Sequence, residues 1–195
     1  MTGQHALNAV TRPIEQHGDE ILAFADFILP RFELGDAVIE IGVRHGGTSE
    51  LWTRLLPAGL VLGIDRIGHD SYQEPEFTQR YRAMELELPN YQFLRGDSHS
   101  EETADRVREI VGHIPVGLLF IDGDHAYEGV KRDWELYSPL VKPGGWIAFH
   151  DIVDGPRTGG GVTRLFRELQ TQYVGRSFIL AEGSDWGGIG AVTIP

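Results

Sequence analysis

Residues 118–151 read LLFIDGDHAYEGVKRDWELYSPLVKPGGWIAFHD: an apolar run ending in acids, a stretch with helical periodicity, a Pro-Gly-Gly turn, and a second apolar run ending in His150-Asp151. Two apolar strands joined by a helix form a parallel crossover unit, and both strands of such a unit deliver their C-terminal ends to the same sheet edge. Asp122, His150 and Asp151 are therefore expected to meet there. Carboxylates and an imidazole gathered at one edge repel or stay unpaired unless something neutralises them, which a divalent cation does. Taken singly, each of these residues reads more readily as a solvated loop residue capping the next helix.

Working outward, helical and strand patterns alternate as in a parallel α/β sheet. Upstream, strands are expected at Ala37–Val43, Leu60–Asp65, Tyr91–Arg95 and Val116–Asp122. Helices are expected at Gly46–Leu56, stopped by Pro57, in the acidic and aromatic segment Gly68–Pro89 with Phe77, Tyr81, Met84 and Leu88 on one face, and at Glu101–Val111. In the helix of the quoted stretch, Tyr127, Val130, Trp134, Tyr137 and Val141 face the sheet, and Glu128, Lys131, Arg132 and Asp133 face water. Pro143-Gly144-Gly145 ends that element and Trp146–Phe149 is the fifth strand. Val162–Tyr173 reads as a helix, followed by two strands around Ser177–Ala181 and Ile189–Ile194, whose short connection predicts an antiparallel pair at a sheet edge. At the other end Ile14, Ile21, Leu22, Ala25 and Ile28 recur at helical spacing, predicting one helix within an N-terminal helical extension over about residues 1–35.

The chain of 195 residues suits one domain spanning residues 1–195 and has no cysteine, so no thiolate metal site or cysteine nucleophile is available. A formal net charge of −12 argues against wrapping a phosphate backbone, so small molecules rather than nucleic acid are the expected partners. No basic start followed by an apolar stretch opens the chain, and no apolar run is long enough to span a bilayer. The expectation is a cytoplasmic protein that does not engage membranes. The N-terminal helix and the terminal hairpin are the surfaces through which copies could associate as a homo-oligomer.

Chemistry begins in VIEIGVRHGGTSELW, residues 38–52, where glycines let the backbone turn tightly and the following helix offers unpaired N–H groups. This is not the dinucleotide pattern G-x-G-x-x-G: Gly42 is followed by Val43-Arg44-His45 before Gly46-Gly47, and Glu40 lies two residues ahead of the first glycine. A carboxylate there suits a ligand bearing an ammonium or sulfonium better than a pyrophosphate. Asp65, ending the second strand, is placed to accept from ribose hydroxyls, and Asp97, after the third, from an adenine amino group; each also reads as a helix cap.

These residues together resemble the class I S-adenosylmethionine-dependent methyltransferases over nearly the whole chain from Ala37 onward. The resemblance implies a Rossmann-like, doubly wound, seven-stranded α/β sheet, mostly parallel with an antiparallel C-terminal hairpin strand. It implies S-adenosylmethionine as cofactor, with Glu40 toward the amino group, Gly42, Gly46, Thr48 and Ser49 lining the turn, Asp65 at the ribose, Asp97 and Ser98 at the adenine, and Arg66 as a further cofactor-binding residue. Within that superfamily, FIDGDHAYEGVKRDW followed by PGGWIAFHDI is similar to the metal-dependent O-methyltransferases of the catechol and natural-product-sugar types and to the cephalosporin-hydroxylase-like group. By that likeness Asp122, His150 and Asp151 fall on the metal-ligand positions and Mg2+ is the expected cation; His150 stands where relatives have an oxygen ligand, so Asp122 and Asp151 are the firmer ligands and His150 the candidate third, and His125 or Asp124 is the catalytic base, with His125 favoured because an imidazole titrates near neutrality.

The implied reaction is methyl transfer to a hydroxyl of a small molecule such as a sugar, natural product or catechol. Arg157 and Gly159–Gly161 stand where a loop could close over the acceptor, and Trp186 reads either as an aromatic wall of the site or as an edge-strand anchor. Alternative readings are a metal-binding hydroxylase on the same scaffold, a NAD-dependent oxidoreductase, and a non-catalytic binding protein.

Overall fold

The structure is a computed structural model that describes residues 2–55, 59–67, 74–153, 155, 159–181 and 186–195. Strands β1 (Ala37–Ile41), β2 (Val61–Asp65), β3 (Tyr91–Arg95), β4 (Val116–Ile121) and β5 (Val141–His150) run parallel, and β6 (Ser177–Ala181) and β7 (Ile189–Thr193) pair antiparallel at the far edge. Their order is β3-β2-β1-β4-β5-β7-β6, so β7 is inserted between β5 and β6 and the direction of winding reverses between β1 and β4. The fold is thus the seven-stranded, mostly parallel α/β sheet expected from the sequence.

Register explains why the site lies where it does. Leu94 pairs with Ile64, Ile64 with Ile41, Ile41 with Ile121 and Ile121 with Phe149, one apolar row across the five parallel strands. The residues that follow this row are Arg95, Asp65, Gly42, Asp122 and His150, so charged and turn-forming residues emerge together at the C-terminal edge.

Side chains alternate between the two faces. Ile39, Ile41, Leu119, Ile121, Ile147 and Phe149 pack beneath α5 (Glu101–Val111), α6 (Tyr127–Tyr137) and α7 (Gly161–Gln172). Val38, Leu118, Phe120 and Ala148 lie against α1 (Gly3–Ala9), α2 (Gly18–Ile28), α3 (Gly47–Leu55) and α4 (Glu74–Glu87). Glu40 falls on the second face, between Ile39 and Ile41, and is therefore buried rather than presented to the edge.

Three expectations need correction. The N-terminal region holds two helices, α1 and α2, and Ile14 lies in the segment between them; His17 precedes α2 with extended ψ, which separates that segment from the helix. Pro143-Gly144-Gly145 lies inside β5, which begins at Val141: the pairing passes from Val116–Val141 to Leu118–Trp146, so the turn residues form an irregularity with Gly144 at φ 79°. Asp133 does not face water. It lies on the same side of α6 as Val130 and Tyr137, and burial there is complete. Pro57, the start of the Gly68–Pro89 segment and residues 182–185 of the last connection lie outside the described residues.

Candidate active site

A cleft of about 760 Å3 opens at the reversal point between β1 and β4, the place where open parallel sheets bind ligands. Its two halves are built differently.

The half over β1–β3 rests on backbone. Gly42 has φ 88°, and a side chain there would put its Cβ 2.0 Å from the Asp122 carbonyl oxygen, so only glycine lets β1 turn this close to β4. Asp65 Oδ2 accepts from the amides of Val43 and Arg44, both at 3.0 Å, and Oδ1 accepts from Ile67 at 2.9 Å. A carboxylate offers about four acceptor positions, so one remains for a ligand hydroxyl. Asp97 Oδ1 accepts from the His99 amide at 3.0 Å, and the Ser98 carbonyl accepts from Tyr137 at 2.9 Å. Gly42, Thr48, Asp65, Arg66, Asp97 and Ser98 all line the cleft. Glu40, Gly46 and Ser49 do not: Ser49 donates to the Glu40 carboxylate one layer behind the wall, and burial pushes the Glu40 pKa up to about 8. The structure thus brings most of the expected cofactor residues to the cleft and places these three as its support.

The half over β4 and β5 rests on side chains. His150 Nδ1 lies 3.3 Å from Asp122 Oδ1 and 3.3 Å from Asp151 Oδ2, and His125 Nε2 lies 3.0 Å from Asp151 Oδ2. Asp151 sits in the left-handed region at φ 60°, uncommon for a residue with a side chain, and this turns its carboxylate back toward β4. Burial works to lower the His150 pKa, but the charge of Asp122 and contacts with Asp151 and Glu20 outweigh it and push it up to about 12. Burial would raise Asp151, yet His125 and His150 hold it well below the usual carboxylate range. Asp151 in turn raises His125 against its burial. Asp124 also lines the cleft, with Oδ1 accepting from the Ala126 amide at 2.8 Å at the start of α6.

The donor set fits a divalent cation. Asp122, His125 and Asp151 each offer one ligand atom, all within 4.8 Å of one another. His150 is 4% exposed, and although three carboxylates surround it, neither ring nitrogen has a hydrogen-bond partner. A cation bound among these groups would give the buried nitrogen a partner.

The sequence reading missed the segment between α1 and α2, which lies across the cleft. Gln16 accepts from Thr48 Oγ1 at 2.8 Å and donates to Asp122 Oδ2, joining the two halves. Buried Glu50 anchors the segment by accepting from the amides of Thr11 and Arg12 at 3.1 and 3.2 Å. From α2, Glu20 Oε2 approaches His150 Nε2 at 3.5 Å. Trp186 lines the cleft with its ring 4.2 Å from that of His17. These partners are distant in sequence and belong to no local pattern. Arg157 lies outside the described residues.

A mostly parallel sheet with a glycine turn after β1, an acid ending β2, another after β3, and carboxylates after β4 and β5 defines a class I methyltransferase type of site. Residues 39–152 match the methyltransferase-domain family, and the chain belongs to that family. It is similar to the uncharacterized protein R132 of Acanthamoeba polyphaga mimivirus, 30% identical over 145 residues, covering 71% of this chain and 63% of that protein. It is also similar to the mycinamicin VI 2''-O-methyltransferase of Micromonospora griseorubida, 27% identical over 122 residues, covering 59% of this chain and 27% of that one. Among solved structures, the MycE methyltransferase of mycinamycin biosynthesis in complex with Mg and SAH superposes with a TM-score of 0.60 at 19% identity, over 88% of this chain and 49% of that one. The chain thus spans less than two thirds of each of these proteins.

Proposed function

We propose that this protein transfers a methyl group from S-adenosylmethionine to a hydroxyl of a small molecule, assisted by a divalent cation held by Asp122, Asp151 and His150. The observation that carries the proposal is the meeting of Asp122 Oδ1, Asp151 Oδ2 and His150 Nδ1 at one end of a cleft whose other end is lined by the β1–β3 turns. Mycinamicin VI 2''-O-methyltransferase and the Mg- and SAH-bound MycE structure support a sugar-like or related hydroxyl acceptor. Membership of the methyltransferase family counts against the NAD-dependent alternative.

Within this reading, residues 1–195 act as one domain. Thr48 and the Gly42 turn hold the amino-acid end of the cofactor, Asp65 and Arg66 the ribose, and Asp97 and Ser98 the adenine, with Glu40, Gly46 and Ser49 supporting the turn from behind. Bound in the cleft, S-adenosylmethionine supplies an electrophilic methyl group and the cation acidifies the acceptor hydroxyl. Asp151 keeps the proton of His125 on Nε2, which leaves Nδ1 free to take the hydroxyl proton. Asp124 is the less suited base because one of its oxygens accepts from the Ala126 amide just ahead of α6. Trp186, backed by His17, walls the acceptor side and excludes water, so the chain contributes mainly by holding the reacting atoms in line.

The test is a radiolabelled methyl-transfer assay with vicinal diols, glycosides and catechols, with and without added divalent metal. Metal-dependent labelling of one acceptor class is expected. Tight binding of S-adenosylmethionine with no labelled product, or oxidation of the acceptor instead, would overturn the proposal.

A further inference from the structure

We propose that the cation centre is a mixed nitrogen and oxygen site, with His150 Nδ1 as a ligand oriented by Glu20, and that it prefers an imidazole-binding transition ion such as Zn2+ or Fe2+ over Mg2+. This rests on the reading above that the cleft takes a divalent cation.

Each aspartate has one oxygen committed outward and one turned inward. Asp122 Oδ2 accepts from Gln16, and Asp151 Oδ1 accepts from the Gly187 amide at 3.1 Å. The inward atoms, Asp122 Oδ1 and Asp151 Oδ2, each lie 3.3 Å from His150 Nδ1. Ligands bound at about 2.1 Å to a common ion and about 90° apart stand about 3 Å from each other, so an ion that displaces the His150 proton can take Nδ1 and the two inward oxygens as ligands with little movement.

On the far side of the ring, His150 Nε2 faces Glu20 Oε2 at 3.5 Å. His150 Nδ1, His150 Nε2 and Glu20 Oε2 are all buried without a hydrogen bond. A metal-binding histidine commonly gives its other N–H to a carboxylate, which fixes the tautomer and strengthens the donor. Glu20 stands where that carboxylate belongs. Gly187 makes room for it, since a Cβ at that position would come 3.0 Å from Glu20 Oε2. Magnesium favours oxygen ligands and retains water, whereas imidazole nitrogen suits zinc, iron, nickel and copper. The buried nitrogen at the centre of this cluster therefore argues for the second group.

The test measures metal binding to the full chain without cofactor or acceptor, so its outcome is separate from that of the methyl-transfer assay. Calorimetry is expected to give Zn2+ an affinity at least about 100-fold above that of Mg2+, and Glu20→Gln is expected to weaken Zn2+ by about 10–100-fold with an unchanged circular dichroism spectrum. Electron spin echo spectra of the Mn2+-loaded protein are expected to show a nitrogen coupling that Glu20→Gln perturbs and His150→Asn removes. Equal affinities for Zn2+ and Mg2+, wild-type binding by Glu20→Gln, or a nitrogen coupling that persists in His150→Asn and disappears in His125→Asn would each overturn the proposal.

Discussion

The two halves of the cleft make the same kind of charged surface by opposite means. Over β1–β3, acids are held by backbone amides, two of them two residues on and two from the neighbouring β1 turn: Asp65 by Val43, Arg44 and Ile67, and Asp97 by His99. Over β4 and β5, charge is packed against charge, and the partners arrive from the far N-terminus as Gln16 and Glu20. The first half is a preformed backbone cradle that needs no ion. The second is costly to assemble without one, because buried ionised groups lose their hydration. Variants in one half should therefore leave the other working.

The largest effect is expected from Asp151→Asn, which removes an inward donor: methyl transfer should fall by on the order of 10²–10³-fold, while S-adenosylhomocysteine binding by calorimetry stays within about threefold. A parallel loss of cofactor binding would mean that the halves are not separable. Asp65→Ala should do the reverse. Loss of its amide contacts, at about 1–3 kcal/mol for unsatisfied groups, should weaken S-adenosylhomocysteine by about 10–100-fold and leave metal affinity intact. Gly42→Ala acts where the halves touch. Strain at φ 88° and contact with the Asp122 carbonyl should cost about 1–3 kcal/mol and lower Tm by several degrees, with both ligands weakened.

The smallest effect concerns Glu40, behind the cradle. Its pKa is raised by burial to about 8 in the folded chain, against about 4.3 in an unfolded one. The folded state thus holds the proton more tightly, and the associated stability is present below the unfolded pKa and declines as pH rises toward 8. Glu40→Gln should flatten the dependence of Tm on pH between about 4.3 and 8. An unchanged profile would show that the Glu40 carboxyl ionises normally in the fold.

The same contrast governs what could be read from the sequence. Period-two and helical patterns located β3, β6 and α5 to the residue, and register carried Asp122 and His150 to one edge as the crossover rule required. The positions of the cradle residues were legible because each stands at or just after the end of a strand that the sequence pattern marks, although Asp65 takes two of its amides from the β1 turn. The β4–β5 half was legible only in its own strand ends. Nothing in the spacing of Gln16 or Glu20 marks them as partners of Asp122 and His150, because those contacts come from folding an extended segment over the sheet. Asp133 was misplaced for a related reason: its charge suggested solvent, whereas its helical position beside Val130 and Tyr137 decided its burial.

The central claim is that cofactor and cation occupy the two ends of one cleft. The most direct measurement is the nuclear magnetic resonance linewidth of the S-methyl group of S-adenosylmethionine bound to the protein, with and without Mn2+. Strong broadening by Mn2+, lost in Asp122→Asn, is predicted; a methyl resonance that stays sharp while both ligands are bound would contradict the account.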